Sequence, residues 1–183
     1  MNVRICSYGA GNVLSVASAF RRLGADVAVT VDPAAVLEAD LAVLPGVGAA
    51  RTAMRELGAN GLDAALRDRV ARGHATLGIC LGLQIALEWT EEDGGVPGLG
   101  LLPGRAARLR EGRIPRIGWA PVEPLGAAFY FAHSYAAETS AATATSEGIV
   151  AEARRGSFLG VQFHPEKSGA DGVRYLERCL SHA

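Results

Sequence analysis

A cysteine flanked by glycines, Gly78-Ile79-Cys80-Leu81-Gly82, stands where an apolar run ends and a helical pattern begins. Small flanking residues permit the strained strand-to-helix turn that exposes a nucleophile, and a helix N-terminus favours thiolate over thiol. Far along the chain, Phe163-His164-Pro165-Glu166 supplies a base and a carboxylate. His164 and Glu166 are two apart in a proline-restrained segment expected to be extended, which sends both side chains to one side of the backbone. In that arrangement Cys80 attacks a carbonyl, and His164 takes the thiol proton and returns it to the leaving group. Glu166 orients the imidazole and stabilises its charged form. The chemistry is acyl transfer. A cysteine alone would read as a small apolar core residue; the His-x-Glu segment reverses that reading.

A tetrahedral oxyanion needs hydrogen-bond donors, and the backbone N–H of Leu81, just after the nucleophile, is one by position. Pro45-Gly46-Val47-Gly48 is suited to supply the second, because glycines on both sides of Val47 let a peptide plane turn toward the site or away at little steric cost. An on/off element is expected there, against the alternative of an ordinary strand-end turn. Gln84, four residues after Cys80, shares its helix face and is expected within reach of the substrate. His133 is a rival base without a carboxylate two residues on and reads as a satisfied structural histidine. His74 and His182 read as solvated, and Cys6 and Cys179 as packing residues.

These groups need a scaffold that brings distant segments together. Val3 to Tyr8 reads as a strand, and Asn12 as the cap of a helix with Val13, Val16, Ala17 and Phe20 on one face before Gly24. Strands follow at Ala25 to Val31 and Leu41 to Leu44, with a short helix begun by Asp32-Pro33 between them. Helices at about Ala50 to Leu57 and Leu62 to Arg72 lead to a strand at Ala75 to Ile79, the elbow, and a helix to about Trp89. This alternation implies a mainly parallel open sheet flanked by helices. The second half shows short β-like pieces near Ala106 to Arg110, Trp119 to Val122, Phe129 to Ala132, Ala142 to Thr145, Ile149 to Arg154 and Phe158 to Phe163. A helix from about Gly172 to Leu180 closes the chain. One α/β domain over 1–183 with an antiparallel extension is expected, and open α/β sheets place ligands beyond the carboxyl ends of their strands.

At 183 residues and a formal charge of -1, the chain suits one ordinary domain and shows no basic excess, which argues against nucleic acid or an anionic membrane as partner. Three cysteines without a short pairing motif indicate neither a disulfide framework nor a metal site, and no cofactor is expected. No apolar run approaches the roughly 18 residues of a membrane helix. A reducing, cytoplasmic location is expected.

The chain resembles the class I, triad-type glutamine amidotransferases, whose fold is flavodoxin-like, and more narrowly the glutaminase subunits of imidazole glycerol phosphate synthase. The resemblance is carried by Leu44-Pro45-Gly46-Val47-Gly48, Leu77-Gly78-Ile79-Cys80-Leu81-Gly82-Leu83-Gln84, Gly98-Leu99-Gly100-Leu101, Gly118-Trp119, His133-Ser134-Tyr135 and Gly160-Val161-Gln162-Phe163-His164-Pro165-Glu166-Lys167-Ser168. It implies hydrolysis of glutamine to glutamate and ammonia through a thioester on Cys80. It also implies glutamine contacts at Gly46, Gln84, Glu92, Ser134 and Tyr135, with Glu92 near the substrate amine and Ser134-Tyr135 near its carboxylate. The implied partner is a separate (β/α)8-barrel cyclase in histidine biosynthesis, forming a heterodimer, with Asn12, Trp119, Tyr130 and Lys167 at or near the contact. For Trp119 the alternative is a buried strand aromatic.

The chain departs from the family around Gly-Trp, where histidine and asparagine are common and Arg116 and Ala120 stand here, and Pro121 to Tyr130 is short. Competing readings are a glutaminase component of anthranilate, aminodeoxychorismate or guanylate synthesis, a stand-alone cysteine γ-glutamyl hydrolase, and a docking subunit without activity. The intact triad argues against the last.

Overall fold

A computed structural model of the chain describes residues 1–9 and 13–183; Asn12 lies outside the described residues. The first half comprises β1 (Asn2–Cys6), α1 (Val13–Arg22), β2 (Asp26–Thr30), α2 (Pro33–Leu37), β3 (Leu41–Leu44), α3 (Ala50–Ala59), α4 (Leu62–Ala71), β4 (Thr76–Ile79) and α5 (Leu81–Ala86). There follow β5 (Trp89–Thr90), β6 (Val96–Pro97), β7 (Arg105–Arg108), β8 (Arg116–Val122), β9 (Ala127–His133), β10 (Tyr135–Glu138), β11 (Ala142–Ser146), β12 (Ile149–Arg155), β13 (Phe158–Val161) and α6 (Gly169–Ser181).

β3 and β4 are buried at each position, as expected of strands covered on both faces. They lie at the centre of a seven-stranded sheet of order β11-β12-β13-β4-β3-β1-β2. From β2 to β13 neighbouring strands run parallel, and β12 and β11 add antiparallel pairs at one end. On one face, Val3, Ile5, Val43, Leu77, Ile79 and Val161 pack with Phe20 of α1, Leu176 of α6 and Phe129 and Phe131 of β9. On the other, Ala42, Leu44 and Phe158 pack with Leu57, Leu66 and the α5 residues Leu83 and Ile85. The antiparallel β8–β9 pair and a four-stranded sheet of order β10-β7-β5-β6 complete the second half.

Local chemistry starts α2 as expected, with Pro33 at its first turn and Asp32 Oδ1 accepting from Ala34 N at 2.9 Å. Arg69 of α4, fully buried, was not foreseen as a core residue. Its guanidinium donates to the carbonyls of Val36, Leu37, Asp40 and Ala75, tying α4 to α2 and to the segments entering β3 and β4.

Two expectations are corrected. The helix after the elbow ends at Ala86 rather than Trp89, because residues 98–102 take its last carbonyls: Leu99 N donates to Ile85 O at 2.7 Å and Leu101 N to Ala86 O at 2.8 Å. The chain emerging from α5 then forms β5, which the sequence pattern missed along with β6 and β10. Pro165–Lys167 form a 3-10 turn rather than an extended segment, since the fixed φ of Pro165 suits a first helical position and Lys167 N closes onto His164 O at 3.0 Å. Among the described residues, no helix is long and apolar enough to cross a membrane.

Candidate active site

Parallel strands β1, β3, β4 and β13 lie side by side, so the segments leaving their carboxyl ends meet at one edge of the sheet. These segments carry Tyr8, Pro45–Gly48, Cys80 and His164. Register completes the alignment: Ile79 is level with Val161, and Cys80 N donates to Val161 O at 2.7 Å.

Cys80 turns the chain from β4 into α5 with φ 48° and ψ -101°, a conformation that costs a non-glycine residue on the order of 1–3 kcal/mol. The flanking glycines make the turn possible for a different reason, close approach. A Cβ on Gly82 would stand 2.3 Å from Leu44 O, and one on Gly78 would stand 2.8 Å from both Gly82 C and the Phe158 ring. α5 can therefore seat its first turn directly on β3 and β4. Leu81 opens α5, so its N–H is among those without an intrahelical carbonyl.

His164 Nδ1 lies 2.8 Å from Glu166 Oε1, with the two side chains 3% and 4% exposed. The turn at Pro165 folds the carboxylate back to the ring, which satisfies the expected pairing by a different backbone path. Nε2 is left for the sulfur, and the ring is hydrogen-bonded to Cys80. Burial works against the imidazolium, but the bonds to Cys80 and Glu166 and their negative charge outweigh it and raise the His164 pKa to about 9. The neighbouring side chain anchors the segment, Phe163 stacking on Phe129 at 4.1 Å and meeting Tyr175 edge-on at 5.2 Å. Such a constellation can deliver a thiolate nucleophile beside an acid.

The Pro45–Gly48 loop lies against the elbow. A Cβ at Gly46 would be 2.7 Å from Ile79 O and 2.9 Å from Cys80 Cβ, and Gly48 has φ 109°, a left-handed value suited to glycine. Tyr8, buried after β1, donates its hydroxyl to Pro45 O and pins the loop's start. Val47 is half-buried and Gly48 exposed, so the peptide between them sits at the rim of the site.

Gln84 is buried rather than open to a ligand. Its Nε2 donates to Tyr135 O at 2.7 Å and to Gln162 Oε1 at 3.3 Å. Glu92 belongs neither to a solvated patch nor to open space: its Oε2 accepts from Ala50 N at 3.0 Å, serving the uncapped start of α3 just beyond the Gly46–Gly48 loop. Burial raises its pKa, the Ala50 bond opposes that, and Asp93 adds to the rise. Ser134 and Tyr135 join β9 to β10; their carbonyls accept from Leu109 N at 2.9 Å and from Gln84.

His133 is half satisfied, which corrects the expectation of a fully satisfied structural residue. Nδ1 lies 2.9 Å from Tyr135 O, while buried Nε2 has no partner among the described residues. Burial lowers its pKa to about 4 despite the Tyr135 bond, with the positive charges of Arg116 and His164 adding to the fall. It is neutral near pH 7 and stands beside the triad without belonging to it. Arg116, across the strand pair from His133, stacks 4.3 Å over Phe131 and binds Ser146 Oγ and Glu147 Oε2, each at 2.8 Å. It therefore turns toward β11 and β12 instead of outward.

Trp119 is 57% exposed, not a buried strand aromatic, and meets its cross-strand partner Tyr130 edge-on at 6.2 Å. Lys167 is exposed as well. Tyr130 reaches the triad through its backbone. Its carbonyl accepts from His164 N at 2.8 Å, and its N–H donates to Ser168 Oγ at 3.0 Å, which in turn donates to His164 O at 2.7 Å. Sequence reasoning missed this clamp, Tyr8 and Gln162. Gln162 was detectable: two residues before His164 in an extended run, it leaves the backbone on the same side. A cavity of about 860 Å³ lies to one side, lined by Arg108, Arg110, Arg113, Arg116 and Glu147 and not by the triad.

Residues 4–117 match the family described as the CobB/CobQ-like glutamine amidotransferase domain. The chain is 47% identical to the imidazole glycerol phosphate synthase subunit HisH of Symbiobacterium thermophilum over 190 aligned residues, covering 94% of this chain and 90% of that protein. It is 42% identical to the subunit HisH of Methanothermobacter thermautotrophicus, covering 95% of each. Among solved structures, it superposes on a crystal structure of a glutamine amidotransferase with a TM-score of 0.83 at 21% identity, covering 98% of both chains. It also superposes on PurLQS from Thermotoga maritima with a TM-score of 0.74 at 16% identity, covering 99% of this chain and 98% of the other. At those identities the two structures speak for the fold alone.

Proposed function

Since this chain belongs to the family of imidazole glycerol phosphate synthase HisH subunits, within the glutamine amidotransferases, we propose that it hydrolyses glutamine to glutamate and ammonia as a single glutaminase domain. The observation that carries this reading is the Cys80–His164–Glu166 constellation on adjacent strand ends. The Cys80 thiolate attacks the glutamine side-chain carbonyl, and protonated His164 gives its Nε2 proton to the departing ammonia. Water, deprotonated by His164, then cleaves the thioester to release glutamate. Glu166 keeps the imidazole in the tautomer this requires. Leu81 N–H and a peptide N–H of the Val47–Gly48 segment stabilise the oxyanion, the second after a rotation that glycine permits.

Gly46, Glu92, Ser134 and Tyr135 surround the glutamine. Gln84 acts behind them by holding the Tyr135 carbonyl, and Glu92 offers its second carboxylate oxygen to the substrate amine. Ammonia passes to a partner subunit, a (β/α)8-barrel cyclase of cytoplasmic histidine biosynthesis, docked over Trp119, Tyr130, Lys167 and the segment around Asn12. Trp119's exposure and the Tyr130–Ser168–His164 clamp favour that face. No cofactor takes part.

The test is glutamate release from glutamine by the purified chain, alone and with a cyclase subunit, with and without a cyclase ligand. Strong ligand-dependent stimulation is expected. Hydrolysis indifferent to the cyclase would move the protein to another pathway or to a stand-alone hydrolase, and full turnover by Cys80→Ala would overturn the triad.

A further inference from the structure

Gln162 follows β13 directly and is fully buried. An amide brings two N–H donors and an acceptor oxygen into that interior, where an unmet polar group is costly. Its Oε1 accepts from Gln84 Nε2 at 3.3 Å, and its own Nε2 lies 3.5 Å from Cys80 Sγ. The direction of this chain is set by chemistry at its far end. The Tyr135 carbonyl can only accept, so the Gln84 group 2.7 Å from it is the NH2. The same NH2 can only donate to Gln162, which turns the Gln162 oxygen toward Gln84 and its NH2 toward the sulfur.

We infer that Gln162 is a catalytic residue of the glutaminase reaction, an uncharged donor that stabilises the Cys80 thiolate in addition to the acid–base pair. The titratable groups around this sulfur are His164 and Glu166 beyond β13 and the Tyr8 phenol after β1. His164 must give up its proton during each turnover, whereas the Gln162 N–H does not titrate. The sulfur therefore keeps one donor while the imidazole is neutral. That matters twice: the donor raises the fraction of thiolate before attack, and it stabilises sulfur as a leaving group when the thioester is cleaved. A hydrogen bond to a charged acceptor is worth about ten- to hundredfold in the equilibrium it biases.

The inference rests on the glutaminase reading for its effect on turnover, but its primary test needs no glutamine. The rate of iodoacetamide alkylation of Cys80 is followed from pH 5.5 to 9 in the full chain, with Cys80→Ala as the blank. Burial raises the thiols of Cys6 and Cys179 to about 12, so neither competes in this range. Gln162→Leu is expected to move the alkylation midpoint up by about one pH unit or more, lowering the thiolate fraction at neutral pH about tenfold. It should lower kcat at least about tenfold with little change in KM. Gln162→Met keeps most of the volume without charge and without an N–H donor, and it should shift the midpoint by a similar amount; it decides the matter should the leucine variant fail to fold. In the unmodified protein, the Gln162 side-chain amide signal in NMR must titrate with the alkylation midpoint.

An unchanged midpoint in a folded variant, or an amide signal indifferent to the cysteine, overturns the role of Gln162. Absence of glutamine hydrolysis by the unmodified protein together with a cyclase subunit overturns the glutaminase reading and leaves the alkylation test standing.

Discussion

Gly46→Ala tests how closely the Pro45–Gly48 loop must sit on the nucleophile elbow. The added Cβ would lie 2.7 Å from Ile79 O and 2.9 Å from Cys80 Cβ. Carbon meets a carbonyl oxygen comfortably at about 3.3 Å and another carbon at about 3.5 Å or more, so both contacts demand a separation of roughly 0.6 Å. One contact is backbone and the other the first atom of a buried side chain, so neither can swing aside. Pairing with Val161 of β13 fixes Ile79, and the loop is what moves. A displacement of this order at a reacting centre costs up to about 10²-fold in rate, the same scale as losing one oxyanion donor. Overpacking adds a stability loss of about 1–3 kcal/mol.

The assay is steady-state glutamate release with saturating glutamine, beside urea unfolding. A roughly 10²-fold lower kcat with a folded protein is expected. Gly58→Ala is the control: at this exposed glycine of α3 an added Cβ would meet nothing within 4 Å, and alanine there should leave turnover unchanged and stabilise the helix by about 0.5–1 kcal/mol. Normal kcat in Gly46→Ala refutes the claim that the loop works at contact distance.

His133 should make the protein acid-labile. Its pKa is about 4 when folded against 6.5 when unfolded, so below about pH 6.5 the unfolded chain takes up a proton that the folded one refuses. About 3 kcal/mol is lost as pH falls toward 4; His133→Asn should flatten that slope in unfolding titrations, and an identical slope refutes it. Arg69→Leu strands the carbonyls of Val36, Leu37, Asp40 and Ala75 and should cost at least about 3 kcal/mol by urea unfolding. Arg69→Lys should restore little, because one ammonium cannot span those carbonyls; an unchanged urea midpoint in either variant counts against the bracing role. Trp119→Ala, at an exposed site, should cost below about 1 kcal/mol of stability while weakening cyclase-dependent stimulation. Unchanged partner affinity in a titration rejects that surface.

What the sequence determined by itself is what depends on near neighbours. Gly-x-Cys-x-Gly demanded a tight turn, Asp32-Pro33 started α2, and unbroken apolar runs such as Leu41–Leu44 announced strands covered on both faces. The spacing of His164 and Glu166 foretold their pairing even though Pro165 produced a turn where extension was expected. The tertiary structure decided where long-range contacts outbid local preference. α5 stops at Ala86 because a loop more than ten residues later captures its carbonyls, a competition no helical periodicity records. Arg69 reads as a surface cation until carbonyls from three distant residues, Val36, Leu37 and Asp40, join that of Ala75 around it.

Cys80, Gln162 and His164 become one site only because β4 and β13, some eighty residues apart in sequence, pair in parallel register. Residue types can declare the chemistry, but the strand order and register of the sheet place the reacting atoms. Those are properties of packing and pairing summed over the whole chain.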